Sequence, residues 1–167
     1  VENGWWYAAK LPDNKVLISL NSDAQTIKQQ QLQQTENWWQ ELTSAPNTAE
    51  LLTGLKPLDD RPKTYPAQSF ILDKVTGSNW LAIGDAASTF DPITSCGIIK
   101  SMSDGITAAQ LIVQLQQLNG QEQQAELLRQ YQNLVAQRYH NYQQARTQHY
   151  RQEQRFPQSG FWQKMQS

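Results

Sequence analysis

Gly84-Asp85-Ala86-Ala87-Ser88-Thr89-Phe90-Asp91-Pro92-Ile93-Thr94-Ser95-Cys96-Gly97-Ile98 is the stretch on which the reading of this chain turns. Before it runs Asn79-Trp80-Leu81-Ala82-Ile83, an apolar segment without polar alternation. Such a run predicts a strand buried on both faces, the usual state of a parallel strand in an α/β sheet. After it, Ile98, Met102, Ile106, Ala109 and Val113 recur at helical spacing. The order is strand, loop, helix. In open α/β sheets the carboxyl edge of a strand is where ligands bind. Small Gly84, Ala86 and Ala87 let a ligand approach the backbone closely. Asp85 offers a hydrogen-bond acceptor, and Pro92 stiffens the loop. Gly97 opens a helix whose free N–H groups and positive dipole end suit an anionic or electron-rich group.

Upstream, Gly4-Trp5-Trp6-Tyr7-Ala8-Ala9, the turn formers Pro12-Asp13-Asn14 and Lys15-Val16-Leu17-Ile18-Ser19-Leu20 predict a β-hairpin. A lone hairpin is marginal in water, so its strands are expected to join a larger sheet. Ser22 or Asp23 can cap a helix running to about Leu42, with Trp38, Trp39 and Leu42 sharing a face. Pro46 then breaks the chain, and Asn47 can cap a short helix presenting Leu51, Leu52 and Leu55. Pro57, Asp59, Asp60, Pro62 and Pro66 mark a loop, and Ser69 to Leu72 a further strand. Beyond Gly120 a glutamine-rich stretch keeps a stripe of Leu128, Tyr131, Val135, Tyr139 and Tyr142. That pattern predicts a helix to about residue 153, spanning roughly 50 Å, with the glutamines on a solvated face.

Bulk properties exclude several classes. The 167 residues carry 14 Lys plus Arg against 15 Asp plus Glu, a formal charge of -1 with no basic run, so a nucleic-acid partner is not expected. No apolar run approaches the roughly 20 residues of a membrane span, so no membrane partner is expected either. Cys96 is the single cysteine, which rules out an internal disulfide and a cysteine-based metal cluster and fits a reducing, cytoplasmic compartment. The chain opens at Val1 without a methionine, within a predicted strand, so a further upstream segment is expected.

The Gly84 to Ile98 stretch resembles the second FAD-binding motif of flavoprotein monooxygenases built like p-hydroxybenzoate hydroxylase, and more narrowly that of the tryptophan halogenases and their relatives. Those relatives include flavin enzymes that modify side chains of other oxidoreductases. The resemblance implies that Asp85, with Gly84 and Ala86 beside it, holds the ribityl chain of FAD. It also implies that Pro92 shapes the loop and that Gly97 and Ile98 turn backbone N–H groups to the reduced flavin. Ser95-Cys96-Gly97 stands where many hydroxylases have Gly-Gln-Gly, and is nearer the Ser-Ser-Gly of the halogenase branch, in which this loop also helps to bind halide. Trp5-Trp6-Tyr7-Ala8-Ala9-Lys10-Leu11-Pro12 falls where halogenases carry Trp-x-Trp-x-Ile-Pro, with Tyr7 in place of the second tryptophan and Ala9 in place of isoleucine. Arg155-Phe156-Pro157 before Phe161-Trp162 is similar to the closing motif of the same group.

The fold so implied is α/β: the carboxy-terminal part of a two-domain flavoprotein. Residues 1–72 belong to a substrate-side β-sheet domain with two helices, 73–118 to a Rossmann-like FAD-binding domain, and 119–167 to a long helix and closing tail. The family's Gly-x-Gly-x-x-Gly fingerprint for the ADP half of FAD does not occur in the chain. The implied function is a monooxygenase-type oxidoreductase whose reduced FAD reacts with O2 and which oxygenates a small aromatic molecule or a protein-bound side chain. NAD(P)H or a flavin reductase would be the reductant. A flavin-dependent halogenase is the enzymatic alternative; a non-catalytic subunit or binding module that kept the fold is the other.

Plainer roles stand beside these. Trp5, Trp6 and Tyr7 are substrate-side candidates, but aromatic strand residues usually pack a sheet face. Cys96, at a helix start that favours a thiolate, reads as a small residue packed beside the flavin. His140 and His149 read as solvated, with no metal expected. Asp91 and Asp104 read as loop and helix-surface residues, and no catalytic acid or base is named.

Overall fold

The computed structural model describes residues 1–52, 54–59 and 61–167, with the side chains of Pro46, Ala49 and Leu51 left aside. Asp60 of the proline-rich loop and the Leu51 side chain therefore lie outside the described residues. The chain divides into two compact units, residues 1–65 with 153–167, and residues 66–152.

In the first unit, Asp13 and Asn14 both adopt left-handed backbone, with φ of 60° and 56°. That is the geometry of the two-residue turns that match strand twist. They join β1 (Trp5–Lys10) to β2 (Val16–Asn21), paired antiparallel from Trp5 opposite Asn21 to Lys10 opposite Val16. The expected larger sheet is not found: among the described residues this sheet has two strands. Asp23 caps α1 (Ala24–Gln29), its Oδ1 accepting from the amides of Gln25 and Thr26 at 2.9 and 3.2 Å. One helix to Leu42 was the expectation, yet α1 ends where Gln31 turns left-handed, at φ 52°, and α2 (Thr35–Ser44) starts afresh. The Asn37 amide donates to the carbonyls of Gln30 and Gln31, which holds the break, and Leu32 fills the core beside it. The expected break falls at Ala45, and Pro46 itself opens the short second helix, α3 (Pro46–Leu51), in place of a cap at Asn47, since proline at a first helical position loses no hydrogen bond. At the carboxyl end Ser159 caps α6 (Gly160–Gln166). Its hydroxyl also donates to the Glu2 carbonyl, and the Trp162 indole donates to that of Val1 at 3.0 Å, so the two chain termini close one core. Leu32, Leu42, Ala45, Leu52, Phe161 and Trp162 are buried.

In the second unit, β3 (Phe70–Ile71) pairs antiparallel with β6 (Ser88–Thr89), and β4 (Thr76–Gly77) with β5 (Trp80–Leu81). The expected strand buried in a parallel sheet is thus a two-residue antiparallel strand, and among the described residues no strands pair in parallel. Trp80 and Ile83 remain exposed, with no further strand beside β5 and β4 among the described residues, and Gly84, at φ 56°, ends the extended run. What holds this region is α5 (Gln121–Arg151), a 31-residue helix within the predicted limits. Its Tyr131 hydroxyl donates to the Ala82 carbonyl at 2.9 Å, and Gln132 accepts from the Val75 amide and donates to the Asp73 carbonyl. Val75, Ala87, Leu111, Tyr131 and Val135 form the core.

α4 (Gly97–Gln117) departs most from expectation. An apolar stripe at helical spacing ordinarily packs inward. Here Ile98, Met102 and Ile106 are 79%, 66% and 62% exposed, with Ile99 and Val113 exposed beside them. The face packed inward carries Lys100, Asp104, Ala108 and Leu111 instead. Among the described residues, no helix is long and apolar enough to cross a membrane.

Candidate functional site

Gly84–Ala86 form a single 3-10 turn after β5, and the first turn of α4 lies against it. The positive φ of Gly84 suits glycine alone. A Cβ there would also sit 3.1 Å from the Ser101 hydroxyl. The Gly84 amide donates to Asp104 Oδ2 at 3.1 Å. Asp104 Oδ1 accepts from Arg138 of α5 at 2.7 Å, and Arg138 also reaches the Thr107 hydroxyl at 3.3 Å. Asp104 is thus a buried strut tying the turn, α4 and α5 together, not the helix-surface residue its spacing predicts.

Lys100 sits in the same layer. Its ammonium lies 3.7 Å from Asp104 Oδ2, 3.7 Å from Asp85 Oδ1 and 5.0 Å from the centre of the Phe90 ring. The Lys100 side chain is only 6% exposed, whereas that of Asp85 is 74% exposed. No hydrogen-bond acceptor lies within reach of the Lys100 ammonium among the described residues. The result is a buried cation under an exposed carboxylate.

From Phe90 onward the loop is set by Asp91. Its carboxylate accepts from the Ile93 amide at 3.0 Å, Arg146 Nε at 3.1 Å and the Tyr150 hydroxyl at 2.8 Å. Its own amide donates to the Tyr142 hydroxyl at 2.7 Å, and that hydroxyl is shared with Ser69. Burial pushes the Tyr142 phenol above its ordinary range. The Phe90 ring stacks on Tyr142 at 3.9 Å and 8°. Asp91 is therefore the buried hub that fixes the loop to α5, more than the loop residue expected. Pro92–Thr94 form a second 3-10 turn capped by Asp91, and Ser95 takes left-handed backbone at φ 52°. That conformation costs a non-glycine residue roughly 1–2 kcal/mol, so the surrounding bonds hold it.

α4 begins without a side-chain cap. Gly97 has open space where a Cβ would lie, Pro92 and Ile98 are exposed, and no side chain caps the first amides of the helix. Cys96 is exposed and donates to the Thr94 carbonyl. Gly84, Asp85, Ala86, Pro92, Gly97 and Ile98 thus belong to one loop and helix start in the second unit. Trp5, Trp6 and Tyr7 belong to the first unit. There Trp6 meets Trp38 edge to face at 5.4 Å and Tyr7 is exposed. Two shallow hollows of that unit, about 540 and 380 Å³, are lined by residues such as Ile27, Gln34 and Asn37 and hold none of the candidates. Among the described residues no three His, Cys, Asp or Glu side chains gather to hold a metal. His140 and His149 are exposed.

Sequence reasoning missed Lys100, Asp104, Arg138, Arg146 and the two tyrosine hydroxyls. A Lys and an Asp four apart read as a solvated helical pair. The signal that could have found them was the second, shorter apolar set on the same helix, Ala108 and Leu111, which continues the Lys100–Asp104 face.

No family model matches the chain. It is 26% identical over 163 residues to a protein of Marinomonas mediterranea named "Putative FAD-dependent oxidoreductase LodB", a match spanning 98% of this chain and 42% of that protein. Its fold matches that of QhpG, described as a peptidyl tryptophan dihydroxylase essential for tryptophylquinone cofactor biogenesis. The TM-score is 0.86 at 21% identity, covering 100% of this chain and 38% of that one. The chain thus spans about two fifths of the length of the relatives it matches.

Proposed function

We propose that this chain is part of a flavoprotein oxidoreductase, that its 84–98 loop and the start of α4 hold FAD, and that the whole protein oxygenates an aromatic side chain of a protein substrate. The single observation that carries the reading is the pairing of an exposed acceptor, Asp85, with an uncapped start of a 21-residue helix across a loop of small residues. The name of LodB supports FAD as the cofactor, and the description of QhpG supports a peptide-borne tryptophan as the class of substrate.

The residues present fit such a group. Asp85 makes no hydrogen bond among the described residues and is open to polyol hydroxyls. Gly97 and Ile98 carry amides with no cap to satisfy them, suited to the electron-rich edge of a ring. A buried ammonium with no acceptor marks the floor of the same site. When bound, FAD would supply the redox chemistry, and the protein would supply placement and electrostatics. Asp85 would accept hydrogen bonds from the polyol, the α4 amides would offset negative charge, and Asp91 would keep the loop in register through Tyr142, Arg146 and Tyr150.

The exposed apolar face of α4 supports one further element of this reading. Ile98, Ile99, Met102, Ile106 and Val113 make a contiguous strip of a kind that soluble surfaces seldom leave bare. In a protein of the relatives' length another segment would lie over it. The test is the absorbance spectrum of the complete natural protein beside its Asp85→Ala variant. Bound flavin that is weakened by the substitution is the expected result. A colourless protein that takes up no added FAD would overturn the reading and leave a binding module with an inherited fold.

A further inference from the structure

We propose that Lys100 is the positioning residue of this site, acting on ligand through Asp85 and touching neither flavin nor substrate. The inference rests on the flavin reading above and deepens it. Asp104 already has its charge partner, because Arg138 takes Oδ1 at 2.7 Å and the Gly84 amide takes Oδ2 at 3.1 Å. The Lys100 ammonium stands off at 3.7 Å, beyond hydrogen-bond reach, and its three N–H donors are all unspent. Burying an ammonium in that state is costly, so a second partner must offset it. The Phe90 ring face supplies part, at 5.0 Å, and is itself pinned by its stack on Tyr142. The remaining partner is Asp85, at 3.7 Å and otherwise in solvent.

The geometry is one-sided. Phe90, Asp104 and the α4 backbone hold Lys100 in place, while among the described residues only Lys100 pairs with the Asp85 carboxylate. A small closing movement of Asp85 would convert the 3.7 Å ion pair into a charge-assisted hydrogen bond. That would fix one carboxylate oxygen inward and leave the other aimed outward at a polyol. Lys100 would thereby set the direction in which Asp85 accepts.

The experiment is a double-substitution cycle on the complete natural protein: FAD dissociation constants for the parent, Lys100→Met, Asp85→Ala and both together, with the visible circular dichroism of bound flavin. Lys100→Met should weaken FAD binding about tenfold, the effect of one charged hydrogen bond, and alter the dichroic band. In the Asp85→Ala background the same change should have no further effect. Lys100→Arg, which keeps the charge, should recover most of the affinity. Asp104 keeps Arg138 and the Gly84 amide in every variant, so the fold should be retained, which thermal melts of each variant check. Equal weakening by Lys100→Met with and without Asp85 would overturn the proposal, because the lysine would then act directly or through the fold. An unchanged affinity in Lys100→Met, with Asp85→Ala still weakened, would overturn it while leaving the flavin site standing. A parent that binds no FAD would sink the flavin reading and this inference with it.

Discussion

α4 and α5 are neighbours in one unit, and they bury opposite kinds of residue. On α5 the apolar stripe Tyr131, Val135 and Tyr142 is buried, and most glutamines face solvent, while Gln132 clamps the 73–75 backbone and Gln124 donates to the Leu115 and Leu118 carbonyls. On α4 the apolar stripe is exposed, and a lysine and an aspartate are buried. α5 therefore buries its apolar stripe within the chain described, whereas α4 packs only its polar side there. A helix so inverted is packed on one side and bare on the other. Its ionic side fixes the 84–86 turn, and its apolar side is exposed.

The largest effect should come from the ionic side. Asp104→Ala would strand Arg138 and the Gly84 amide together, costing about 3–5 kcal/mol by the measure of broken buried pairs, read as a fall in the denaturation midpoint. A loss below 1 kcal/mol would mean that the inward face of α4 is not what holds it. Next, Val135→Ala on α5 should cost about 2 kcal/mol. Ile106→Ala on α4 should stay within about 0.5 kcal/mol in the 167-residue chain. Equal costs would break the comparison between the helices. In the complete natural protein, where a further segment is proposed to lie over α4, the Ile106→Ala cost should rise to about 2–5 kcal/mol, and a flat response there would remove the case for a covering segment.

The smallest effects are in pH, and they should separate the units. In the first unit, the Arg155 guanidinium bonds Glu153 and holds its carboxyl down at about 2, below the ordinary 4.5. The folded value is depressed, so this stabilisation is present above pH 4.5 and is lost as pH falls from there through about 2. In the second unit, burial raises the phenols of Tyr131 and Tyr142 above 10. Their contribution is whole below pH 10 and fades as pH rises through the folded values. Trp5, Trp6, Trp38, Trp39 and Trp162 all lie in the first unit. Tryptophan fluorescence should therefore report mainly the acid transition, and tyrosine absorbance the alkaline one.

Local signals were legible where a segment's partners lie in its own chain. The hairpin turn at Asp13-Asn14, the cap at Asp23 and both ends of α5 follow from residue type and period. The break at Gln31 was not legible, because it rests on Asn37 reaching back to two carbonyls. The expected parallel strand at 79–84 failed for a related reason: an apolar run states that a segment wants covering, and does not state with what. At the candidate site the small residues, Asp85 and the helix start were readable from sequence. The buried floor of Lys100, Asp104 and Arg138 was not, since charged residues at helical spacing read as solvated until the opposite face of the helix is known.

The most direct test is a crystal structure of the complete natural protein with FAD bound. The account predicts the Asp85 carboxylate within hydrogen-bond reach of the flavin polyol, the Lys100 ammonium bonded to that carboxylate, and the Ile98–Val113 strip of α4 covered by protein. A flavin held elsewhere, with Asp85 still facing solvent, would contradict it.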